Sequence, residues 1–169
     1  MTHPIVRRRE GHDDPVARAV VRRTWYAEYS GIYTRGELDA VFAGRAAQES
    51  TWSDRRTVAL ASLVAEVDGV VVGVASPAVL VNGDGELGAF FVLPEHQGRG
   101  VGMALWDATI ADLRARGCPR MWVWTLARSP RALGWYARRG CVEVERGEFR
   151  LGAHAEEAVG LVLNLDSPA

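Results

Sequence analysis

The stretch Phe91-Val92-Leu93-Pro94-Glu95-His96-Gln97-Gly98-Arg99-Gly100-Val101-Gly102 constrains this chain most. A strand pattern ends at Leu93, a loop with three alternating glycines follows, and a helix pattern opens directly from it. Glycine lets backbone approach a ligand without interference from a Cβ. The free N–H groups and the dipole of a helix start favour an anion there. A diphosphate suits such a site, and Arg99 adds a fixed positive charge. The same turn is also compatible with close packing alone.

Two other nucleotide sites fit less well. The glycine spacing is not the dinucleotide fingerprint, and the preceding strand belongs to a hairpin meander rather than a βαβ unit. The chain contains no lysine, which removes the phosphate-binding lysine of a P-loop and any Schiff-base chemistry. An anion site here must use backbone N–H groups and guanidinium.

The surrounding pattern reads as a mixed α/β fold, a mostly antiparallel sheet flanked by helices. Its order is strand, two helices, three strands, helix, strand, helix, two strands. The first strand lies near Ile5–Arg9. Asp14 followed by Pro15 starts a helix running to about Tyr29, and Thr34 with Glu37 makes a capping box for a second helix through about Ala46. Val58–Val67 and Val70–Val81 flank the hairpin signal Asp68-Gly69, and Glu86–Leu93 follows. Pro94–Gln97 reads as a loop, and a helix then runs to about Arg116, with Met103, Trp106, Ile110 and Leu113 at helical spacing. Arg120–Leu126, a helix from Ser129-Pro130 to about Arg139, and strands at Cys141–Leu151 and Ala158–Leu165 complete the chain. No repeat or linker divides the 169 residues, so one domain is expected.

The formal net charge of −1 supplies no field for a nucleic acid. Neither a signal-peptide pattern nor an apolar run of membrane-spanning length is present, so a cytoplasmic protein without membrane contact is expected. Cys118 and Cys141 read as reduced, partly buried thiols, and the four histidines lack ligand spacing, so no metal is expected. A homodimer is compatible with the sequence.

The glycine segment resembles the GNAT superfamily of N-acetyltransferases. Gln97, Gly100 and Gly102 match its Gln/Arg-x-x-Gly-x-Gly/Ala signature, and Val92-x-Pro94 is typical of the strand end. Ser129–Cys141 is similar to the family's Asn-x-x-Ala-x-x-Phe-Tyr-x-x-x-Gly-Phe pattern. Ala132, Tyr136 and Gly140 match outright, Trp135 replaces Phe, Ser129 stands for Asn and Cys141 for Phe. The resemblance implies acetyl-CoA as co-substrate and an amine as acceptor. It implies contacts from the backbones of Phe91, Val92, Gln97, Gly98, Arg99, Gly100, Val101 and Gly102, with Ser129 nearby. The strand before the loop should splay from its neighbour to admit the pantetheine.

Thioester aminolysis needs a proton for the departing thiolate and a base for the amine. The resemblance gives the acid to Tyr136. Glu86, which opens the meander strand, is the candidate base, with Asp84, Glu95 and Glu28 as alternatives; Glu86 reads at least as well as an exposed residue at a turn. An acyl-cysteine route through Cys141 lacks a paired histidine, so direct transfer is expected. Trp25, Tyr29 and Tyr33, with Trp52 further on, are candidates for holding the acceptor, and equally for core packing at i, i+4. The acceptor itself stays open. A sensor or interaction module on the same fold is the alternative to an enzyme.

Overall fold

The computed structural model describes residues 3–51, 55 and 57–166; Trp52 lies outside them. Its elements are β1 (Ile5–Arg8), α1 (Asp14–Tyr29), α2 (Arg35–Phe42), β2 (Gln48–Ser50), β3 (Thr57–Ala59) and β4 (Leu63–Val67). They continue as β5 (Val70–Leu80), β6 (Gly85–Val92), α3 (Val101–Ala115), β7 (Arg120–Leu126), α4 (Pro130–Ala137), β8 (Val142–Leu151) and β9 (His154–Asn164). One sheet runs β1-β4-β5-β6-β7-β9-β8-β2, with β3 also on β5. The β6–β7 pair is parallel and the remaining pairs are antiparallel.

Helix α3 packs on one face of the sheet. A Cβ on Gly73 would stand 2.9 Å from Leu105 Cδ1, and one on Gly85 would stand 2.6 Å from Leu113 Cδ1. These glycines let the helix sit close, and Leu105 and Leu113 are fully buried there. Truncating either to Ala should cost about 2–5 kcal/mol. The other face carries α1, whose Ala17 and Val20 join Val74 in the buried core, with Val21 packed against it. Trp25 continues this layer into a cluster with Leu38, Val41 and Leu151.

The turn chemistry acts as the sequence suggests at several points. Asp68 and Gly69 both take positive φ, 52° and 75°, the conformation that a tight two-residue hairpin turn demands. Thr34 and Glu37 form their reciprocal capping box.

Several boundaries differ. Helix α2 stops at Phe42 rather than near Ala46, because Gly44 adopts φ +69° just past its end. Asp14 is the first helical residue and not the cap. A short 3₁₀ turn at Gly11–Asp13 precedes it, and the Asp13 carboxylate is taken by Arg7 at 2.7 and 2.8 Å. Ser129 gives α4 no side-chain cap, and α4 ends at Ala137, ahead of Arg139. Regular α3 begins at Val101, after Gly100.

The single strand expected over Val58–Val67 is two. Ala59 pairs with Ala78 and Leu63 with Ala75, which leaves an extra residue on the first strand. Leu60 N–H bonds Pro77 O, and Ser62 O is claimed by Arg9 N–H, so the ladder breaks between them. The short strand β2 was not anticipated. Gln48-Glu49-Ser50 has no apolar alternation, and its partner β8 supplies the pairing.

Candidate active site

The splay expected of the meander strand is present. β6 pairs with β7 only over Gly85–Leu87 against Met121–Val123. Beyond Leu87, β6 stays with β5 while β7 stays with β9, and a cavity of about 420 Å³ opens between them. A bulge marks the departure point. Ser76 opposes Ala89 and Pro77 opposes Leu87, leaving Gly88 without a partner on β5. Proline cannot donate to the ladder, which suits it to a bulge. The extra residue reverses the alternation, so Phe90 meets Trp106 of α3 while Phe91 meets Trp25 of α1.

The glycine loop forms one end of the cavity. Gly98 and Gly100 hold φ +72° and +85°, and a Cβ on either would meet nothing within 4 Å. They serve backbone conformation and open space rather than close packing. Gly100 is the α3 N-cap and offers no side-chain cap. The first N–H groups of the helix, at Val101, Gly102 and Met103, have no intrahelical acceptor. The Val101 side chain itself is buried against Gly73, which leaves its backbone N–H as the only group it offers at the helix start. Gln97 pins the loop to the strand, its Nε2 donating to Val92 O at 2.9 Å and Glu28 Oε1 at 3.1 Å. Thr24 Oγ1 also donates to Val92 O. Arg99 is exposed and makes no ion pair among the described residues.

The opposite wall comes from β7 and α4. Trp124, Thr125, Ser129, Arg131, Ala132 and Tyr136 line it. Tyr136 is packed among Phe90, Trp106 and Trp135. Its hydroxyl has no hydrogen-bond partner among the described residues, and burial pushes its pKa well above the ordinary phenol value. Arg139 lies 3.3 Å from the Trp135 ring centroid and donates to Trp135 O at 2.8 Å. Trp124, Arg131 and Arg139 were not singled out in the sequence. Only the i, i+4 spacing of Trp135 and Arg139 pointed to that contact.

The candidate bases separate by environment. Asp84 is buried and takes bonds from Arg120 at 2.9 Å and Trp122 Nε1 at 3.0 Å. Burial raises its pKa, but these bonds outweigh burial and leave it below its usual range, so Asp84 is a structural acceptor. Glu95 is an exposed partner of Arg23 at 2.8 Å. Glu28 lines the cavity but is shared by Gln97 and Arg131. Glu86 has neither a hydrogen bond nor an ion pair among the described residues. Burial raises its pKa, against a smaller opposing effect of Arg55. It sits in register with Trp122 on the α1 face, next to the cavity rather than in its lining.

Of the acceptor candidates, Tyr29 lines the cavity, its pKa pushed up to about 12 by burial and by Glu28. Trp25 and Tyr33 are core residues instead, 7% and 2% exposed. Trp25 packs edge-on against Tyr29, Phe42 and Phe149. The Cys141 thiol is buried, and desolvation pushes its pKa up to about 11, so it is held as a neutral thiol.

The sequence matches the acetyltransferase (GNAT) family over residues 18–141, and the chain belongs to that family. It is 34% identical over 108 residues to an uncharacterized N-acetyltransferase of Mycobacterium bovis, covering 62% of this chain and 67% of that one. Mycobacterium tuberculosis proteins described in the same way match equally. The fold is similar to PaiA N-acetyltransferase from Thermoplasma acidophilum in complex with coenzyme A, with TM-score 0.76, 14% identity, and 96% and 99% of the two chains covered. It is similar also to the Escherichia coli ribosomal-protein-S18-alanine N-acetyltransferase, with TM-score 0.67, 19% identity, and 99% and 97% covered. No described helix is long and apolar enough to cross a membrane.

Proposed function

We propose that this protein transfers an acetyl group from acetyl-CoA to an amine by direct attack in a ternary complex. The observation that carries the reading is the coincidence of two features. The β6–β7 cleft opens at Gly88, and the uncapped start of α3 with its open glycines faces the same cavity. An extended thioester arm would lie along the free edge of β6, its diphosphate on the N–H groups of Gly98 to Gly102 and near Arg99. Ser129 and Arg131 stand on the far wall for its polar groups.

The amine comes from the α1 face, where Glu86 and Tyr29 lie. A carboxylate raised by burial is a better base for an ammonium than an exposed one, and Glu86 takes that proton directly or through water. The neutral nitrogen attacks the carbonyl carbon to give a tetrahedral adduct; as it collapses the C–S bond breaks, Tyr136 gives its proton to the departing sulfur, and the remaining surplus proton on nitrogen restores the phenol. Burial keeps the phenol protonated throughout the neutral range. The neutral Cys141 thiol takes no part.

Thermal unfolding with acetyl-CoA tests the binding half of this reading. At about 100 times its dissociation constant, ligand should add about 2.7 kcal/mol of stability. Thiol release against a panel of amines tests the transfer. An unchanged melting temperature at saturating acetyl-CoA would remove the site.

A further inference from the structure

The α1 face of the sheet carries a second built feature beside the cavity. Trp124, Gly160 and Glu145 form one row across β7, β9 and β8, because Gly160 pairs with both of the others. Glu86 and Trp122 form the adjoining row on β6 and β7. The rings of Trp122 and Trp124 are parallel to within 14°, with centroids 6.3 Å apart. Gly160 makes room for the second ring, since a Cβ there would stand 2.8 Å from it. Asp84 fixes the first through Trp122 Nε1. The platform is held in place by the fold itself.

Its chemistry suits a cation. Glu86 and Glu145 flank the rings, and indole faces attract positive charge. The chain places one of its own cations there. The Arg55 guanidinium lies 4.4 Å from the Trp122 centroid and 5.4 Å from that of Trp124. Its Nη2 donates to Glu145 Oε2 at 2.5 Å. Glu86 on the other flank has no such partner. Trp124 also lines the cavity, so the platform begins where the reaction cleft ends.

We propose that the acceptor carries a second cationic group, a guanidinium or a second ammonium, that lies over Trp122 and Trp124 against Glu145 with its reactive amine toward Glu86. This rests on the transferase reading above and names its substrate class. Arg55 shows the chemistry the face holds and competes with the acceptor for it. Trp122 and Glu145 are then specificity-determining residues.

The test compares acceptors that differ only at the distal end. Cadaverine is set against the amino alcohol of the same chain length, and agmatine against its carboxamide analogue. Wild type should favour the dication in kcat/KM by about tenfold or more. Trp122→Leu and Glu145→Gln should each erase most of that preference through KM, with acetyl-CoA affinity unchanged. Arg55→Ala should lower the KM for cadaverine. Equal kcat/KM within each pair, or a preference surviving in both variants, would overturn the proposal. If acetyl-CoA binds but no amine turns over, the platform is read by the thermal shift with agmatine. A shift in wild type that Glu145→Gln loses would support the cation site, and no shift would overturn it. Failure of the transferase reading therefore does not mask the result.

Discussion

Gly100 and Gly117 bracket α3 with the same left-handed backbone, φ +85° and +74°, and a Cβ on either would stand in open space. Only Gly100 borders the cavity. An alanine at either position should therefore cost a similar amount of stability, about 1–2 kcal/mol for the left-handed conformation. Gly100→Ala should also weaken acetyl-CoA binding, whereas Gly117→Ala should not. Titration of both variants separates ligand contact from backbone strain. Equal affinity in the two would move the diphosphate away from this loop.

Gly160 tests the packing beneath Trp124. An alanine there puts a methyl 2.8 Å from the indole, so the ring must tilt or β9 must shift. Overpacking of this kind costs about 1–3 kcal/mol. Gly160→Ala should lower the melting temperature accordingly, and Trp124→Leu in the same background should recover part of the loss. A stable single variant would show that the ring moves freely.

His154 ties two elements together. Its Nδ1 lies 2.8 Å from Glu37 Oε1 and its Nε2 lies 2.9 Å from Glu156 Oε1. The bonds to Glu156 and then Glu37 raise its pKa above 6.5. This contribution is complete below the unfolded value and fades as pH rises through the higher folded one. Glu37 is shifted the other way, first by its bond from the Thr34 backbone. Its contribution is present above its ordinary value and fades as pH falls through the lower folded one. His154→Gln should therefore reduce the melting temperature more near pH 6 than near pH 9. A pH-independent difference would mean that the charged bridge adds nothing.

The sequence carried the glycine loop and the Tyr136 helix because their signals are local. Positive-φ glycines and helix starts depend on neighbouring residues, and the β-hairpin at Asp68-Gly69 was legible for the same reason. What escaped depended on pairing across the sheet. The bulge at Gly88 is defined by Ser76 and Pro77 on another strand. The Trp124–Gly160–Glu145 row joins three strands. Aromatic density around Trp25 and Tyr33 reads equally as acceptor surface or as core, because helical spacing of aromatics does not say which face is buried, and both residues are buried. Asp84 looked like a candidate base until its buried bonds to Arg120 and Trp122 were visible.

Turnover of acetyl-CoA with Tyr136 as the acid is the step on which the proposed function stands. The most direct measurement is amine-dependent release of the CoA thiol by wild type and Tyr136→Phe, with acetyl-CoA affinity measured for both. The phenylalanine keeps the ring packed among Phe90, Trp106 and Trp135, so affinity should change little. Losing a general acid typically costs about 10²–10⁴-fold in rate. Thiol release should require an amine, the variant should lose rate by that factor, and binding should be preserved in both proteins. Saturable acetyl-CoA binding without thiol release from any amine, or a variant within about threefold of wild type, a loss far below that of a general acid, would contradict it.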